Sequence, residues 1–334
     1  MKGWAVLWMI LIHSVELFLR YNDRTHPLAQ LVFFMGAVPA APVFMFMMGF
    51  YIGSGRASGG NLAIRGLKVF FWGLLLNAGL NASLLIRWAS GTLDVNPFHY
   101  LFGVDILLLA GMALVISGVL VSVKTPWFIW IMLAFAIPAL NTMNLPWGPA
   151  TQGSEITMAN NPADFLLALV GGGYSWSYFP VIPWLGYVFA GVSLRMLSDL
   201  YPGLLTSKLV RLYSGIPSVV IFLAGLIPGW KIARELPMYY HHDFWFFCWA
   251  LAMILILALT ILVFRKWLEG PAGNWIRFLG VRVTSVYVIQ WIIIGNLGTW
   301  LYQSMNITAT LTLFAGVFIL TLLLSVVYHR IVHQ

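Results

Sequence analysis

The sequence is poor in charge and almost free of cysteine. Only 8% of its 334 residues are Asp, Glu, Lys or Arg, while 61% are hydrophobic. Soluble domains carry about a quarter charged residues, so this chain has too little polar surface to cover a water-soluble globule of its length. Its single cysteine, Cys248, excludes an intramolecular disulfide. The composition therefore predicts an integral membrane protein.

Familiar metal and nucleotide motifs are also missing, since no H-E-x-x-H, C-x-x-C, Walker A or Rossmann fingerprint occurs. The run Tyr239-Tyr240-His241-His242-Asp243 offers metal-ligand residue types, but adjacent histidines on one helix or strand point apart. We interpret it as part of an aromatic and polar belt at a membrane interface, and we predict no metal. The net charge of +8 does not indicate nucleic acid, because basic excess in a membrane protein mostly records topology.

Long apolar runs make up most of the chain. They approach the roughly 20 residues that a helix needs to cross the hydrocarbon core, whereas a membrane barrel would show alternating segments of about ten. We predict an all-α polytopic bundle of about ten or eleven transmembrane helices, forming one domain over residues 1–334. The predicted spans are 4–20, 28–53, 66–87, 100–121, 126–143, 178–196, 212–229, 244–264, 279–302 and 309–328. Within the long segment 144–177, residues 163–170 are predicted to form an interfacial or re-entrant helix.

The basic residues indicate the orientation of these spans. With a cytoplasmic N-terminus, thirteen basic residues fall inside, namely Lys2, Arg56, Arg65, Lys68, Lys124, Arg195, Lys208, Arg211, Arg265, Lys266, Arg277, Arg282 and Arg330. Five fall outside, namely Arg20, Arg24, Arg87, Lys231 and Arg234. This bias agrees with the positive-inside rule and places both termini in the cytoplasm.

Several ionisable and amide side chains lie within the spans at a similar depth. His13 is about 10 Å below the outer end of the first span, and Glu16 shares its helical face. Asp105 lies five residues inside the fourth span, while Asn77 and Asn81 form an i,i+4 pair in the third. Because such groups are unfavourable in a bilayer, we predict that they converge on one cavity open to the outside.

Structural alternatives remain open for each of these residues. Glu16 and Arg20 are suited to an interfacial ion pair, and the two asparagines to hydrogen bonding between helices. Asp105 is suited to capping or pairing, and His13 alone would suit a satisfied core histidine. With acidic residues at its depth, however, His13 becomes a plausible general base, since imidazole titrates near neutral pH.

A glycine-rich loop over residues 53–60 precedes Arg65 and Lys68 and contains Arg56. Glycines let backbone amides approach an anion, and the basic side chains supply charge, so a phosphate group could bind there. An ordinary positive-inside loop is the alternative.

Four segments together resemble the transmembrane acyltransferase superfamily, particularly bacterial relatives of heparan-α-glucosaminide N-acetyltransferase. Residues 1–14, from Lys2-Gly3 to His13, resemble its Arg-Gly opening and first apolar helix. Residues 42–50 resemble its second span, a proline followed by an apolar run ending in glycine. Residues 179–191 resemble its Phe-Pro…Pro-Trp-Leu-Gly-Tyr segment, and residues 278–287 its penultimate span. Gln290 departs from the pattern, because many relatives have histidine there.

The resemblance implies acetyl transfer from cytoplasmic acyl-CoA, with acetyl-CoA as donor, to an extracytoplasmic sugar amine or hydroxyl. His13 or His26 would be the general base or carry a transient acyl group. The other implied roles are orientation of the imidazole by Asp105 or Glu16, binding of the coenzyme A phosphates by Arg56, Arg65 and Lys68, and acceptor binding by Asn77, Asn81, Trp184 and Gln290.

The implied setting is a bacterial inner membrane, with the bilayer, acyl-CoA and a glycan or amino sugar as partners and a homodimer as a further expectation. Two other hypotheses are a transporter or flippase for a lipid-linked or small polar substrate and a non-catalytic subunit of a cell-envelope complex. Inverted repeats would favour transport, and we find none in the sequence.

Overall fold

A computed structural model describes residues 1–142, 162–171 and 173–332. The α-helices in chain order are α1 (Lys2–Phe18), α2 (Pro27–Ala37), α3 (Ala41–Ile52), α4 (Gly59–Leu80), α5 (Ala82–Ala89), α6 (Pro97–Leu101), α7 (Ile106–Ser122), α8 (Trp127–Leu140), α9 (Pro162–Val170), α10 (Val181–Leu200), α11 (Lys208–Ala224), α12 (Leu226–Arg234), α13 (Leu236–Tyr240), α14 (Phe244–Val263), α15 (Arg265–Leu268), α16 (Pro271–Val281), α17 (Val283–Leu301) and α18 (Ile307–Val332). In the described ranges, β pairing is limited to isolated bridges between Leu19 and Met305 and between Val104 and Ser177. The prediction of an all-α fold is confirmed.

Each of the ten predicted spans overlaps one or two of these helices. By length and composition, five helical segments of the described chain can cross a membrane, or seven if two bent helix pairs each count as one span. Helices α7 and α8 are apolar but shorter. Helix α9 confirms the helix predicted over 163–170, whereas residues 144–161 of that segment lie outside the described residues. The protein is therefore a polytopic helical membrane protein, and the exact number of crossings stays a prediction.

The outward-facing side chains of α4 show why these helices need lipid. Ile64, Leu67, Phe71, Trp72 and Leu75 are all more than half exposed. A continuous apolar stripe of this kind is rare on soluble monomers, but it is the expected surface of a helix in hydrocarbon. The exposed apolar surface thus supports the membrane assignment that composition predicted.

Two predicted spans differ from the structure in ways that affect the site. The third, predicted as continuous over 66–87, breaks at Asn81, which has a non-helical backbone between α4 and α5. The fourth, predicted from residue 100, starts at Ile106, because the preceding residues form α6 and then a non-helical connection through Gly103. Asp105 therefore lies at a helix start and not five residues inside a span, which corrects the sequence prediction.

The chain divides into two compact units built from interleaved segments. Unit 1 consists of Met1–Ala40, Leu75–Leu101 and Ile261–Gln334, and unit 2 of Ala41–Leu74 and Phe102–Thr260. Each is described by itself below. The single domain over residues 1–334 stays a prediction.

Helix α1 is the centre of unit 1 and packs against α2, α16, α17 and α18. Gly3 allows the contact with α16, because a Cβ at this position would overlap the carbonyl oxygen of Ile276 and approach Gly280. Both glycines belong to segments that carry the family resemblance. Their physical role is close packing of two backbones, as is usual for small residues between membrane helices.

Helix α10 is the centre of unit 2 and packs against α3 and α8. Nearly every residue from Ile182 to Ser193 is buried. A Cβ at Gly49 of α3 would overlap the carbonyl oxygen of Val188, and one at Gly191 would overlap that of Phe46. The glycines of the second and third resembling segments thus let α3 and α10 cross closely.

Candidate active site

The first candidate, His13, lies on α1 against α17. Its Nδ1 atom is 3.3 Å from Oε1 of Gln290 and 3.2 Å from Nε2 of the same amide. The imidazole ring also stacks on the indole of Trp291, with ring centroids 4.1 Å apart and planes 32° apart. Gln290 is fully buried, so its amide is held in place by the packing of α17. One nitrogen and one face of the imidazole are therefore fixed.

The second nitrogen of His13, Nε2, remains open. No described residue forms a hydrogen bond to it, and it is not among the buried polar atoms that lack a partner. When the Gln290 carbonyl accepts from Nδ1–H, the Nε2 lone pair faces outward and can take a proton. An indole face beside the ring also favours the imidazolium that would form, through cation–π attraction. This arrangement suits a general base.

The role of Gln290 differs from the substrate contact expected for it. It is bonded to His13 and enclosed by protein, which suits orientation of the imidazole. Sequence reasoning missed Trp291 altogether, because a tryptophan in an apolar run gives no sign of which helix it faces. Its position directly after Gln290, in a segment with family resemblance, was the available signal.

The second candidate, His26, sits at the surface as the N-cap of α2. Its Nδ1 atom accepts a hydrogen bond from the backbone N–H of Leu28 at 3.2 Å, and Pro27 occupies the first helical position. A capping Nδ1 must be unprotonated, so a neutral His26 carries its proton on Nε2 and has no free lone pair. The geometry therefore gives His26 a capping role, and its predicted catalytic role remains only a prediction.

Glu16, one turn above His13, lies at the outer end of α1. Its backbone carbonyl accepts from Nη2 of Arg24, and the guanidinium of Arg20 donates to the carbonyl of Ser304. The expected ion pair with Arg20 is thus replaced, on the arginine side, by a bond to the α17–α18 loop. Orientation of His13 by Glu16 stays a prediction.

Asn77 and Asn81 attach α6 to α4. The Asn77 amide donates to the carbonyl of Leu101 at 3.1 Å, and the Asn81 amide donates to the carbonyls of Asn77 and Tyr100. Both amides satisfy backbone carbonyls at helix ends, which matches the alternative of interhelical hydrogen bonding. Their predicted contact with the acceptor stays a prediction.

Asp105, in unit 2, is the N-cap of α7. Its Oδ1 accepts from the backbone N–H of Ile106, and the preceding Val104 forms backbone hydrogen bonds with Trp176 and Phe179. A capping carboxylate is stabilised by the helix N-terminus, so its half-buried position needs no catalytic explanation. The capping alternative fits the geometry, and convergence of Asp105 with His13 stays a prediction.

Trp184 belongs to a fully buried aromatic cluster in unit 2. Its N–H donates to the carbonyl of Tyr240, and its ring contacts Tyr187, Tyr239 and His242. This geometry gives Trp184 a packing role, and the substrate contact expected for it remains only a prediction.

His242 completes this cluster, with Nδ1–H donating to the carbonyl of Tyr239 and Nε2 within 3.0 Å of the Tyr187 hydroxyl. Its exposed fraction is only 1%, and that of His241 is 5%, so the interface belt predicted for these residues is wrong. Burial lowers the pKa of His242 to about 3. The amide of Asn141 donates to the carbonyls of both histidines, which fixes this segment to the end of α8.

The predicted phosphate-binding residues lie in unit 2. Arg56, Arg65 and Lys68 are all exposed, and the latter two are neighbours on one face of α4. The start of α4 packs against the end of α7, since a Cβ at Gly59 would overlap the Gly118 carbonyl. Three unburied cations thus stand at one end of this unit, where phosphate oxygens could reach them.

Among the described residues, no group of three or more His, Cys, Asp or Glu side chains is arranged to hold a metal ion. The fold and these residues define a polytopic helical membrane protein with a held histidine inside its first helix.

A sequence model of the family described as heparan-alpha-glucosaminide N-acetyltransferase, catalytic, matches residues 1–208. The chain belongs to this family and is an acyltransferase of the membrane. No curated protein and no solved structure matches the sequence. The resemblance predicted from four short segments is confirmed. Gln290 and Trp291 lie beyond the matched residues.

Proposed function

We propose that this protein moves an acetyl group from cytoplasmic acetyl-CoA to an amine or hydroxyl of an extracytoplasmic sugar, with His13 as the general base. The observation that carries the proposal is the state of the His13 ring, whose Nδ1 is held by Gln290 while Nε2 is open. Family membership supports the acyltransferase chemistry. The bacterial cytoplasmic membrane, with both termini inside, follows from the distribution of basic residues.

In this mechanism the acceptor amine or hydroxyl attacks the carbonyl carbon of the thioester. The Nε2 atom of His13 takes the proton of the attacking group as the new C–N or C–O bond forms. The C–S bond then breaks, and the imidazolium returns the proton to the departing thiolate, which leaves as coenzyme A thiol. Gln290 is the positioning residue that keeps Nδ1–H pointing away from the substrate, and Trp291 stabilises the transient imidazolium.

Arg56, Arg65 and Lys68 supply the binding site for the donor phosphates in this proposal. All three are exposed and fall on the side that the charge bias makes cytoplasmic, where acyl-CoA is found. Each charge-assisted hydrogen bond to a phosphate is worth about 1.5–3 kcal/mol. Binding of the nucleotide end therefore depends on side chains far along the sequence from His13.

The first test compares ligands of the purified protein in detergent. Acetyl-CoA should raise the melting temperature, and free pantetheine, which lacks the nucleotide phosphates, should raise it less. The second test measures coenzyme A thiol release with a panel of amino sugars and envelope glycans. Acetyl-CoA stabilisation without thiol release for any acceptor would contradict the transfer step, and movement of a polar solute across liposomes without acetyl-CoA would favour transport instead.

A further inference from the structure

Unit 1 contains a cavity of about 520 Å³ between α5 and the end of α17, remote from His13. Its lining combines Arg87, Trp300 and the hydroxyl residues Ser83, Ser90 and Thr92 with the apolar side chain of Ile86. The charge bias places Arg87 on the outer side, the side that the proposed acceptor approaches. None of these residues was assigned a role from the sequence.

The indole of Trp300 is available for stacking. Its side chain is 66% exposed, and the guanidinium of Arg87 lies over the ring at 4.9 Å. An indole face is suited to the apolar face of a sugar ring, because the axial C–H groups of the sugar meet the electron-rich surface.

Polar groups of both kinds surround this ring. Of the five N–H groups of Arg87, one donates to the carbonyl of Thr299, and no described residue bonds the others. The hydroxyls of Ser90 and Thr92 both direct their protons to the carbonyl of Arg87, which leaves their lone pairs as acceptors. The cavity thus offers cationic donors for an acidic group and acceptors for sugar hydroxyls.

The distance to His13 sets the length of the ligand. Trp300 lies ten residues beyond Gln290 on α17, which is about 15 Å of helix. A sugar bound at Trp300 therefore cannot also present its amine to His13. An acceptor that occupies both places must be a chain of several sugar units.

On the basis of the proposed function, we propose that this cavity is a remote acceptor subsite. It binds an acidic sugar unit of an oligosaccharide whose end reaches His13, with Trp300 stacking on the ring and Arg87 binding its carboxylate, sulfate or phosphate group.

The test uses the full-length protein, acetyl-CoA and three acceptors. These are glucosamine, a tetrasaccharide that alternates glucuronic acid and glucosamine, and a matched tetrasaccharide with glucose in place of glucuronic acid. For Arg87→Gln, kcat/KM for the acidic tetrasaccharide relative to the neutral one should fall about tenfold. For Trp300→Ala, kcat/KM for either tetrasaccharide relative to glucosamine should also fall about tenfold. Trp88→Ala removes a neighbouring exposed indole that does not line the cavity, so it should leave these ratios at the parent values.

Parent-like ratios in both cavity variants, with transfer intact, would overturn the subsite and leave the proposed function standing. Equal losses for glucosamine and tetrasaccharides would overturn it too, because that pattern indicates a general structural role.

Calorimetry with the acidic tetrasaccharide, which needs no turnover, separates the two proposals. Binding that Arg87→Gln weakens, in a protein that transfers to no acceptor, supports the subsite and contradicts the proposed function. If Arg87→Gln instead releases co-purifying phosphatidylglycerol and leaves saccharide binding unchanged, the cavity holds a lipid headgroup and the subsite is wrong.

Discussion

The contact between His13 and Gln290 leads to the sharpest test of the proposed mechanism. Replacing His13 by alanine removes the proposed base, which typically contributes 10²–10⁴-fold in rate. Replacing Gln290 by alanine leaves the base but removes its one hydrogen bond in the structure, at 3.2–3.3 Å. A neutral hydrogen bond contributes about 0.5–1.5 kcal/mol, so we expect a loss in kcat of about 2- to 13-fold. The two variants should therefore differ by at least an order of magnitude.

A change of Gln290 to glutamate separates orientation from simple packing. A carboxylate in this position favours the imidazolium form of His13. The acidic limb of the pH–rate profile should therefore move to higher pH, while alanine at the same position should lower the rate without such a displacement. A residue with only a packing role would move neither limb.

The assay is release of coenzyme A thiol by protein in detergent, measured at saturating acetyl-CoA over pH 5–9. Gln30→Ala is the matched control, because no described residue bonds the side chain of Gln30. His26→Ala should lower stability by about 1 kcal/mol through loss of the α2 cap and leave a much smaller effect on kcat than His13→Ala. If His13→Ala turned over at the parent rate while His26→Ala did not, the assignment of the base to His13 would be refuted.

Three further predictions concern packing, pH and the donor. Gly49→Ala should destabilise the protein by about 1–3 kcal/mol or more, because the new Cβ meets the backbone of α10, and thermal unfolding in detergent measures this. Stability should fall as pH drops from about 6.5 towards 3, since the buried His242 stays neutral in the fold and binds a proton only when unfolded. At pH 5 its contribution is smaller by about 2 kcal/mol than at pH 7, and His242→Gln should flatten the profile. Alanine at Arg56, Arg65 and Lys68 together should weaken acetyl-CoA binding by about 1–3 kcal/mol per lost charge-assisted bond, measured by calorimetry.

Each of these predictions has a control in the same chain. Gly316→Ala adds a methyl group where nothing lies within 4 Å, so it should leave the melting temperature unchanged or slightly raised. A pH profile that is unchanged in His242→Gln would contradict the burial argument. Lys231→Ala removes a charge from the side predicted to be outer, so a loss of acetyl-CoA affinity equal to that of the triple variant would contradict the cytoplasmic donor site.

The helical membrane fold was accessible from the sequence because it depends on local properties. A run of about 20 apolar residues must satisfy its backbone hydrogen bonds internally when it lies in lipid, whatever its neighbours are. The breaks at Asn81 and before Ile106 were missed, since apolarity continues across them and only the backbone records the interruption. Four short segments also sufficed for the family, because their glycines are required wherever two helices cross closely.

The candidate site shows where sequence reasoning stops. The sequence by itself determined that a histidine stands inside the first apolar helix and that basic residues gather on one side. It could not show that Gln290 and Trp291, 277 or more residues away along the chain, hold that histidine, because contacts between helices depend on rotation and packing and not on apolarity. For the same reason only the tertiary structure decided that Asp105 and His26 cap helices, and that Trp184 and His242 are sealed in a core. A side chain's partners, and not its type or depth, separate a free base from a satisfied polar group.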